Sequence, residues 1–333
     1  MIGIAVIGYG YWGPRIARNF NSVDGCKVVA ICDKNQVSLQ RACRDFPNVQ
    51  LSNDFHSVIG QPDVDAIAVV TPVWTHFELA EAALKNGKHV FVEKPFTSTS
   101  AQAEQLIELA ERKNLQIMID HTFLFTGAVQ RIRQMVTEGT LGKLYYYDST
   151  RVNLGLFQHD VNVIWDLAPH DLSIVDHLTT NKAECVTASG QAHVNELEDA
   201  AYITIYYSDK MIAHFNVNWL SPVKVRTTLI GGEKKMLVWN DLEADEKLKL
   251  YDKGVDVNNG QSVYELLVSY RSGDMWAPRV EQTEALAVET KYFIECISKN
   301  ERPFNDGRAG LRIVRLLEAA DKSLKCRGVP VEL

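Results

Sequence analysis

The sequence predicts an α/β fold in which an N-terminal doubly wound parallel sheet precedes an α+β domain with an open, mainly antiparallel sheet. Three observations carry this expectation. Short apolar runs alternate with amphipathic helical segments over the first third of the chain, a glycine-rich turn joins the first run to the first helical segment, and beyond residue 121 the patterning shifts to period two. At 333 residues the chain exceeds what one hydrophobic core usually organises, so about two domains are expected. We place them at 1–120 and 121–333, with a soft boundary, because no linker or low-complexity segment marks it.

The strands of the first domain are expected at 2–8 (IGIAVIG), 27–33 (KVVAICD), 64–72 (VDAIAVVTP), 89–95 (HVFVEKP) and 116–120 (QIMID), all short runs rich in Val and Ile. Helices are expected over 37–46, 75–86 and 101–113, where apolar residues recur at three- and four-residue steps, with Gly87 just beyond the end of the second. In the second domain, KMIAHFNVNW (210–219) puts Met211, Ala213, Phe215, Val217 and Trp219 on one face and Ile212, His214, Asn216 and Asn218 on the other. That alternation fits a half-exposed antiparallel strand. TTLIGGEKKMLVWN (227–240) reads as a hairpin around Gly231 and Gly232.

Composition excludes several classes. Hydrophobic residues at 46% and charged residues at 23% are ordinary for a globular protein, and a net charge of −7 gives no reason to expect nucleic acid or an anionic membrane as partner. The six cysteines (Cys26, Cys32, Cys43, Cys185, Cys296, Cys326) form no CxxC pair and no zinc-like spacing, so they are expected to be reduced and structural. MIGIAVIGYG lacks a basic n-region and reaches Gly8 too soon for a membrane span, so the cytoplasm is the expected location.

Gly8-Tyr9-Gly10-Tyr11-Trp12-Gly13 is a GxGxxG placed where a strand ends and a helix carrying Pro14, Ile16, Ala17 and Phe20 begins. Asp33 closes the second strand 20 residues after Gly13, where a dinucleotide fold of the Rossmann type carries the acid that binds ribose hydroxyls. Glycines let the backbone approach a pyrophosphate, and the helix N-terminus supplies amide donors. The carboxylate of Asp33 repels a 2′-phosphate and so favours NAD, while the adjacent Lys34, able to accept that phosphate, leaves NADP open.

GYGYWG, TPVWTH (71–76), FVEKPF (91–96) and Asp166-x-x-x-His170 together resemble the glucose-fructose oxidoreductase/inositol dehydrogenase/MocA (Gfo/Idh/MocA) family, and the resemblance runs to ECISKNERPFNDGRAGLRIVRLLEAA (295–320). It implies that Glu93, Lys94 and Pro95 follow the fifth strand with the lysine beside the nicotinamide. It also implies that Thr71, Pro72 and His76 lie near the cofactor, together with Gly8, Gly10, Tyr11, Trp12, Gly13, Asp33 and Lys34. Position supports the lysine independently, because ligands of open α/β sheets bind outside the carboxyl ends of the strands.

WDLAPHDLSIVDH (165–177) is dense in acids and histidines, and one metal ion is the first reading to test. His170 and His177 are seven residues apart, roughly 10 Å along a helix, too far to share an ion from one helix. No metal is expected. Asp166 and His170 are four apart and share a face if the turn is helical, although Pro169 suggests that the helix starts near it. A carboxylate beside an imidazole orients the ring and raises its pKa, as a general base for alcohol oxidation requires. The resemblance implies the same grouping, with His170 taking the hydroxyl proton, Asp166 orienting it and Lys94 positioning or polarising the oxygen. Which of Lys94 and His170 takes the proton first stays open. Asp171, Asp176 and His177 read as helix surface or cap.

In relatives the segment 151–166 helps to line the substrate pocket, which makes Arg151 and Asn153 candidate substrate contacts, alongside Lys94, Asp166 and His170. For Arg151 a structural salt bridge is an equal alternative. His121, at the domain junction, either contacts substrate or is packed, and Lys224 and Arg226 are candidates for an anionic substrate. HTFLF, RVNLG and DVNVIWDLAPHD are similar to family members of nucleotide-sugar pathways, which implies oxidation at C3 of a UDP-N-acetylglucosamine-type sugar. The runner-up is an inositol or free-sugar dehydrogenase, and a non-catalytic dinucleotide-binding sensor is the alternative from another class. The aromatic open face of the second sheet is expected to support a homo-oligomer, a dimer or tetramer.

Overall fold

All five strands expected in the first domain form, and a sixth joins them. In a computed structural model, which describes residues 1–155, 157–259 and 266–333, the first part of the chain runs β1 (Ile2–Ile7), α1 (Gly13–Asn21), β2 (Cys26–Cys32), α2 (Gln36–Asp45), β3 (Gln50–Ser52), α3 (Phe55–Ile59), β4 (Ala66–Val69), α4 (His76–Lys85), β5 (His89–Glu93), α5 (Ser100–Lys113) and β6 (Ile117–Asp120). The strands make one parallel sheet in the order β3-β2-β1-β4-β5-β6. The order reverses direction between β1 and β4, the place where a doubly wound sheet opens a crevice at its carboxyl edge. Its strands are almost wholly buried because helices cover both faces. Gly87 takes the left-handed conformation, φ +76°, just past the end of α4.

Next come α6 (Gly127–Thr137), β7 (Leu144–Leu154), α7 (Val163–Leu178), β8 (Ala183–Gln191), β9 (Ala200–Tyr207), β10 (Ile212–Asn218), β11 (Leu220–Gly232), β12 (Met236–Asn240), β13 (Leu248–Asn259) and β14 (Leu266–Trp276). The chain ends with α8 (Ala285–Lys299), α9 (Gly307–Lys325) and β15 (Val331–Glu332). The second sheet has the order β14-β13-β12-β11-β7-β10-β9-β8-β15. It is mainly antiparallel, as expected, with one parallel pairing between β7 and β10. The period-two face of β10 is the buried one, with Ala213 and Phe215 at 0% exposure, and β11 and β12 form the hairpin expected over 227–240.

Two expectations need correction. The chain does not divide once near residue 120. Met1–Phe125 and Thr283–Glu318 cluster as one unit, and Thr126–Gln282 with Ala319–Leu333 as another. The reason lies in what α8 packs against. Phe293 places its ring 6.1 Å from Phe20 and 5.7 Å from Phe91, both 0% exposed, while Arg18 and Asn19 of α1 bond the Glu284 carboxylate at its start. Nor does α7 begin at Pro169. It starts six residues earlier, where the Asn162 side chain accepts from the Trp165 N–H at 3.2 Å. Proline inside a helix removes one backbone bond, but Val163, Ile164, Ala168, Leu172 and Val175 are all buried on its length, and their packing on β7, β9 and β10 carries the helix through.

Candidate active site

In the first unit the GxGxxG turn joins β1 to α1, and its three glycines serve different ends. A Cβ on Gly8, at φ +97°, would stand 2.3 Å from the Val70 carbonyl oxygen, and one on Gly13 2.3 Å from that of Gly8. Chain packing therefore demands both glycines. A Cβ on Gly10 would meet nothing within 4 Å. That opening, at the start of a helix whose cap residue Trp12 puts no side chain on the first-turn amides, is a cradle into which a pyrophosphate fits. Gly10→Ala is expected to melt with the parent and yet lose NAD affinity by tenfold or more, whereas Gly13→Ala melts several degrees lower, roughly as a 1–3 kcal/mol overpacking does. Thermal melting and NAD titration of both variants check this.

The Asp33 carboxylate is fixed at both oxygens. Oδ2 accepts the Tyr9 N–H at 2.6 Å and Oδ1 the Asn35 N–H at 2.7 Å, which holds it at the carboxyl end of β2, half-buried. Lys34 is exposed. Arg41 is absorbed by the turn, its Nη2 donating to the carbonyls of Tyr9 and Gly10. Tyr11 and Trp12 are exposed and meet edge to face at 5.4 Å, with the Arg15 guanidinium over both rings.

His76 has both ring nitrogens beside backbone carbonyls. It is 1% exposed, with Nδ1 2.9 Å from the Pro95 carbonyl and Nε2 2.7 Å from that of Thr71. It thus ties the loop after β4, where Thr71 and Thr75 share a hydroxyl bond of 2.6 Å, to the cis Lys94–Pro95 segment after β5. Burial pushes its pKa below the ordinary imidazole value against the pull of those carbonyls. Pro72 opens the turn that leads into α4. Lys94 is half-buried at the end of β5, and the preceding Glu93 is 7% exposed and in register with Asp120 of β6. His121 is 2% exposed, and its ring nitrogens make no hydrogen bond among the described residues. Burial first, then the charge of Lys94, lowers it to about 3, which keeps the imidazole neutral beside an ammonium.

In the second unit Asp166 and His170 lie on α7 four residues apart, both half-buried. The residue that sequence reasoning missed is Trp219. Its Nε1 donates to Asp166 Oδ2 at 3.1 Å, and its side chain is 1% exposed. The signal was there in principle, because an indole N–H on a buried strand face must find an acceptor. Asn153 is half-buried on β7. Of the roles left open for Arg151, the guanidinium takes the structural one, with Nε 2.5 Å from Asp171 Oδ2 and Nη2 3.1 Å from Oδ1. Asp171, expected on the helix surface, is 2% exposed for that reason. Arg226 pairs with Asp241 at 3.3 Å, and Lys224 is exposed. Burial, with Arg133, lowers His177 to about 4. Within the segment 151–166, Leu156 lies outside the described residues.

A glycine cradle at the switch point of a parallel sheet, a carboxylate fixed at the end of the second strand and a lysine at the end of the fifth are the parts of an NAD(P)-dependent oxidoreductase acting on CH–OH groups. Residues 2–121 match the model of the oxidoreductase family with NAD-binding Rossmann fold, and residues 129–238 that of the GFO/IDH/MocA C-terminal domain. The chain belongs to the Gfo/Idh/MocA family. It is 28% identical over 322 residues to a UDP-N-acetylglucosamine 3-dehydrogenase of Acidithiobacillus ferrooxidans, covering 93% of each chain. It is 24% identical over 343 residues to the scyllo-inositol 2-dehydrogenase (NAD(+)) of Bacillus subtilis, covering 99% of this chain and 95% of that one. A solved structure of UDP-N-acetylglucosamine 3-dehydrogenase GnnA from A. ferrooxidans superposes with a TM-score of 0.80 at 25% identity, covering 98% of this chain and 99% of the other. No helix among the described residues is long and apolar enough to cross a membrane.

Proposed function

We propose that the chain oxidises the C3 hydroxyl of a UDP-N-acetylglucosamine-type nucleotide sugar with NAD, giving the 3-keto sugar. The observation that carries this reading is the presence of Lys94 at the end of β5 and Asp166 with His170 on α7 in a chain matched along 93% of its length by an enzyme of that activity. His170 takes the hydroxyl proton, Asp166 orients the ring and is itself oriented by Trp219, and Lys94 polarises the oxygen. A dinucleotide held by the Gly8–Gly13 turn and Asp33 would supply the hydride acceptor for the carbinol carbon. Asp33 supports NAD over NADP, because its carboxylate is held in place by two amides and would repel a 2′-phosphate, while Arg41 is turned to carbonyls. We place the protein in the cytoplasm, and we read it as a homo-oligomer because Tyr202, Tyr206 and Ile212 are exposed on the neighbouring strands β9 and β10.

A second reading, an inositol dehydrogenase, draws on the match to scyllo-inositol 2-dehydrogenase over 99% of the chain. The deciding assay follows NADH absorbance with UDP-N-acetylglucosamine, its uronic acid, myo- and scyllo-inositol and simple hexoses, with a carbonyl trap to draw off the ketone. NADH formed with a UDP-sugar is the expected result. NADH formed only with an inositol or free sugar moves the chain to the second reading, and silence throughout despite NAD binding makes it a sensor.

A further inference from the structure

Two buried carboxyl groups of the first unit have no part in the chemistry proposed above. Asp120 ends β6 at 4% exposure, and Glu289 of α8 is 0% exposed. Thr122 Oγ1 bonds Asp120 Oδ1 and stands 3.0 Å from Glu289 Oε2, so one hydroxyl lies between two buried carboxyl groups. A hydroxyl has one proton and can donate to only one of them. Two ionised carboxylates on either side of that single donor would set like charges together and leave one of them without its proton, in a site closed to water. A proton on one carboxyl completes the set.

The surroundings say which one holds it. Asn305 reaches Glu289 Oε1 only at 3.4 Å, and the charges of Asp120 and Glu93, both acids, disfavour a second anion there. Arg18 and Asn19 of α1 bond Glu284 at the start of α8. Burial and those anions push Glu289 well above the ordinary carboxyl value. Asp120 is raised by burial too, but Thr122, Glu289 and the charge of Lys94 all favour its ionised form. His121 and His76, on both of which the charge of Lys94 also acts, are lowered by burial first and so stay neutral.

We propose that Glu289 is a proton-bearing positioning residue: it donates its acid hydrogen to Asp120, and the one-proton pair presents a single negative charge that holds the Lys94 ammonium in place. A second charge would pull the ammonium inward, and none would leave it without this counter-ion. The catalytic meaning rests on the role given to Lys94 above, whereas the proton itself does not.

Glu289→Gln keeps the shape and the donor but has no proton to lose. A carboxyl whose pKa is raised on folding gives its full stability below the unfolded value of 4.5 and loses it as pH climbs toward the folded one. E289Q is therefore expected to melt above the parent at pH 8 by about 3 °C, with the gap closing toward pH 4.5. Melting below the parent at pH 8 overturns the assignment. Should E289Q not fold, infrared spectra of the parent read the same proton, since the carbonyl band of a protonated carboxyl must persist at pH 8, and its absence overturns the proposal. The link to Lys94 is read from a melting cycle of Lys94→Met and Asp120→Asn. The double variant should fall short of the summed shifts by about 2 °C or more, and strict additivity overturns the link. None of these readouts needs substrate, so a silent NAD assay would remove the dehydrogenase reading and leave them standing.

Discussion

Lys94→Ala is expected to lower NAD turnover by about a hundredfold or more, and His170→Asn to do the same, with NAD affinity nearly intact. The separation follows from where the parts lie. We propose the dinucleotide for the cradle of Gly8, Gly10 and Gly13 and for Asp33, whose carboxylate is held by the Tyr9 and Asn35 amides. Removing a group that polarises or deprotonates the hydroxyl takes away an interaction that strengthens only as the alkoxide develops, so kcat falls and binding does not. Initial rates with the substrate found by the assay, and NAD titration followed by tryptophan fluorescence, check both halves. Parent-like turnover in the two variants would remove the mechanism. Loss of NAD affinity in step with turnover would reassign Lys94 to holding the cofactor.

What could be read in the sequence was what depends on local pattern. GxGxxG followed by Asp33 announced a dinucleotide turn because Gly8 and Gly13 answer short-range steric demands and Gly10 leaves the turn open, and alternation over 210–219 announced a buried strand face because strand side chains repeat every two residues. The edge strand Gln50–Ser52 is only three residues long and largely unburied, too little for a period to register. Pro169 misled because the penalty of an interior proline is local, while the packing that outweighs it comes from strands far along the chain. The return of α8 to the first unit was illegible for a similar reason, since an amphipathic helix advertises an apolar face without saying which sheet receives it. The bond from Thr122 to Glu289 spans 167 positions, and no spacing rule reaches that far. His76 shows the converse: its motif was visible, but only the fold reveals that both ring nitrogens are spent on carbonyls.

The largest loss of stability is expected from Asp171→Ala. The side chains of Arg151 and Asp171 are 5% and 3% exposed, so their ion pair is shielded from water and from salt. Arg151 on β7 sits in register with Arg226 on β11, which sets two guanidinium groups side by side with Asp171 and Asp241 as the acids facing them. Burial, reinforced by the charge of Arg151, already lowers the pKa of Arg226. Deleting Asp171 leaves one acid for two cations, and breaking a buried pair in this way costs about 3–5 kcal/mol, or roughly 10 °C of melting temperature. Arg151→Met combined with Asp171→Leu should lose much less, because no buried charge is then left uncompensated. If Asp171→Ala melts within a degree or two of the parent, the pair is not what fixes α7. The effect should also reach the chemistry, because Asp171 follows His170 directly and its bond to β7 sets the rotation of the helix that carries both His170 and Asp166. Turnover in Asp171→Ala is therefore expected to fall at temperatures where the variant is still folded, while NAD affinity, which belongs to the other unit, stays with the parent.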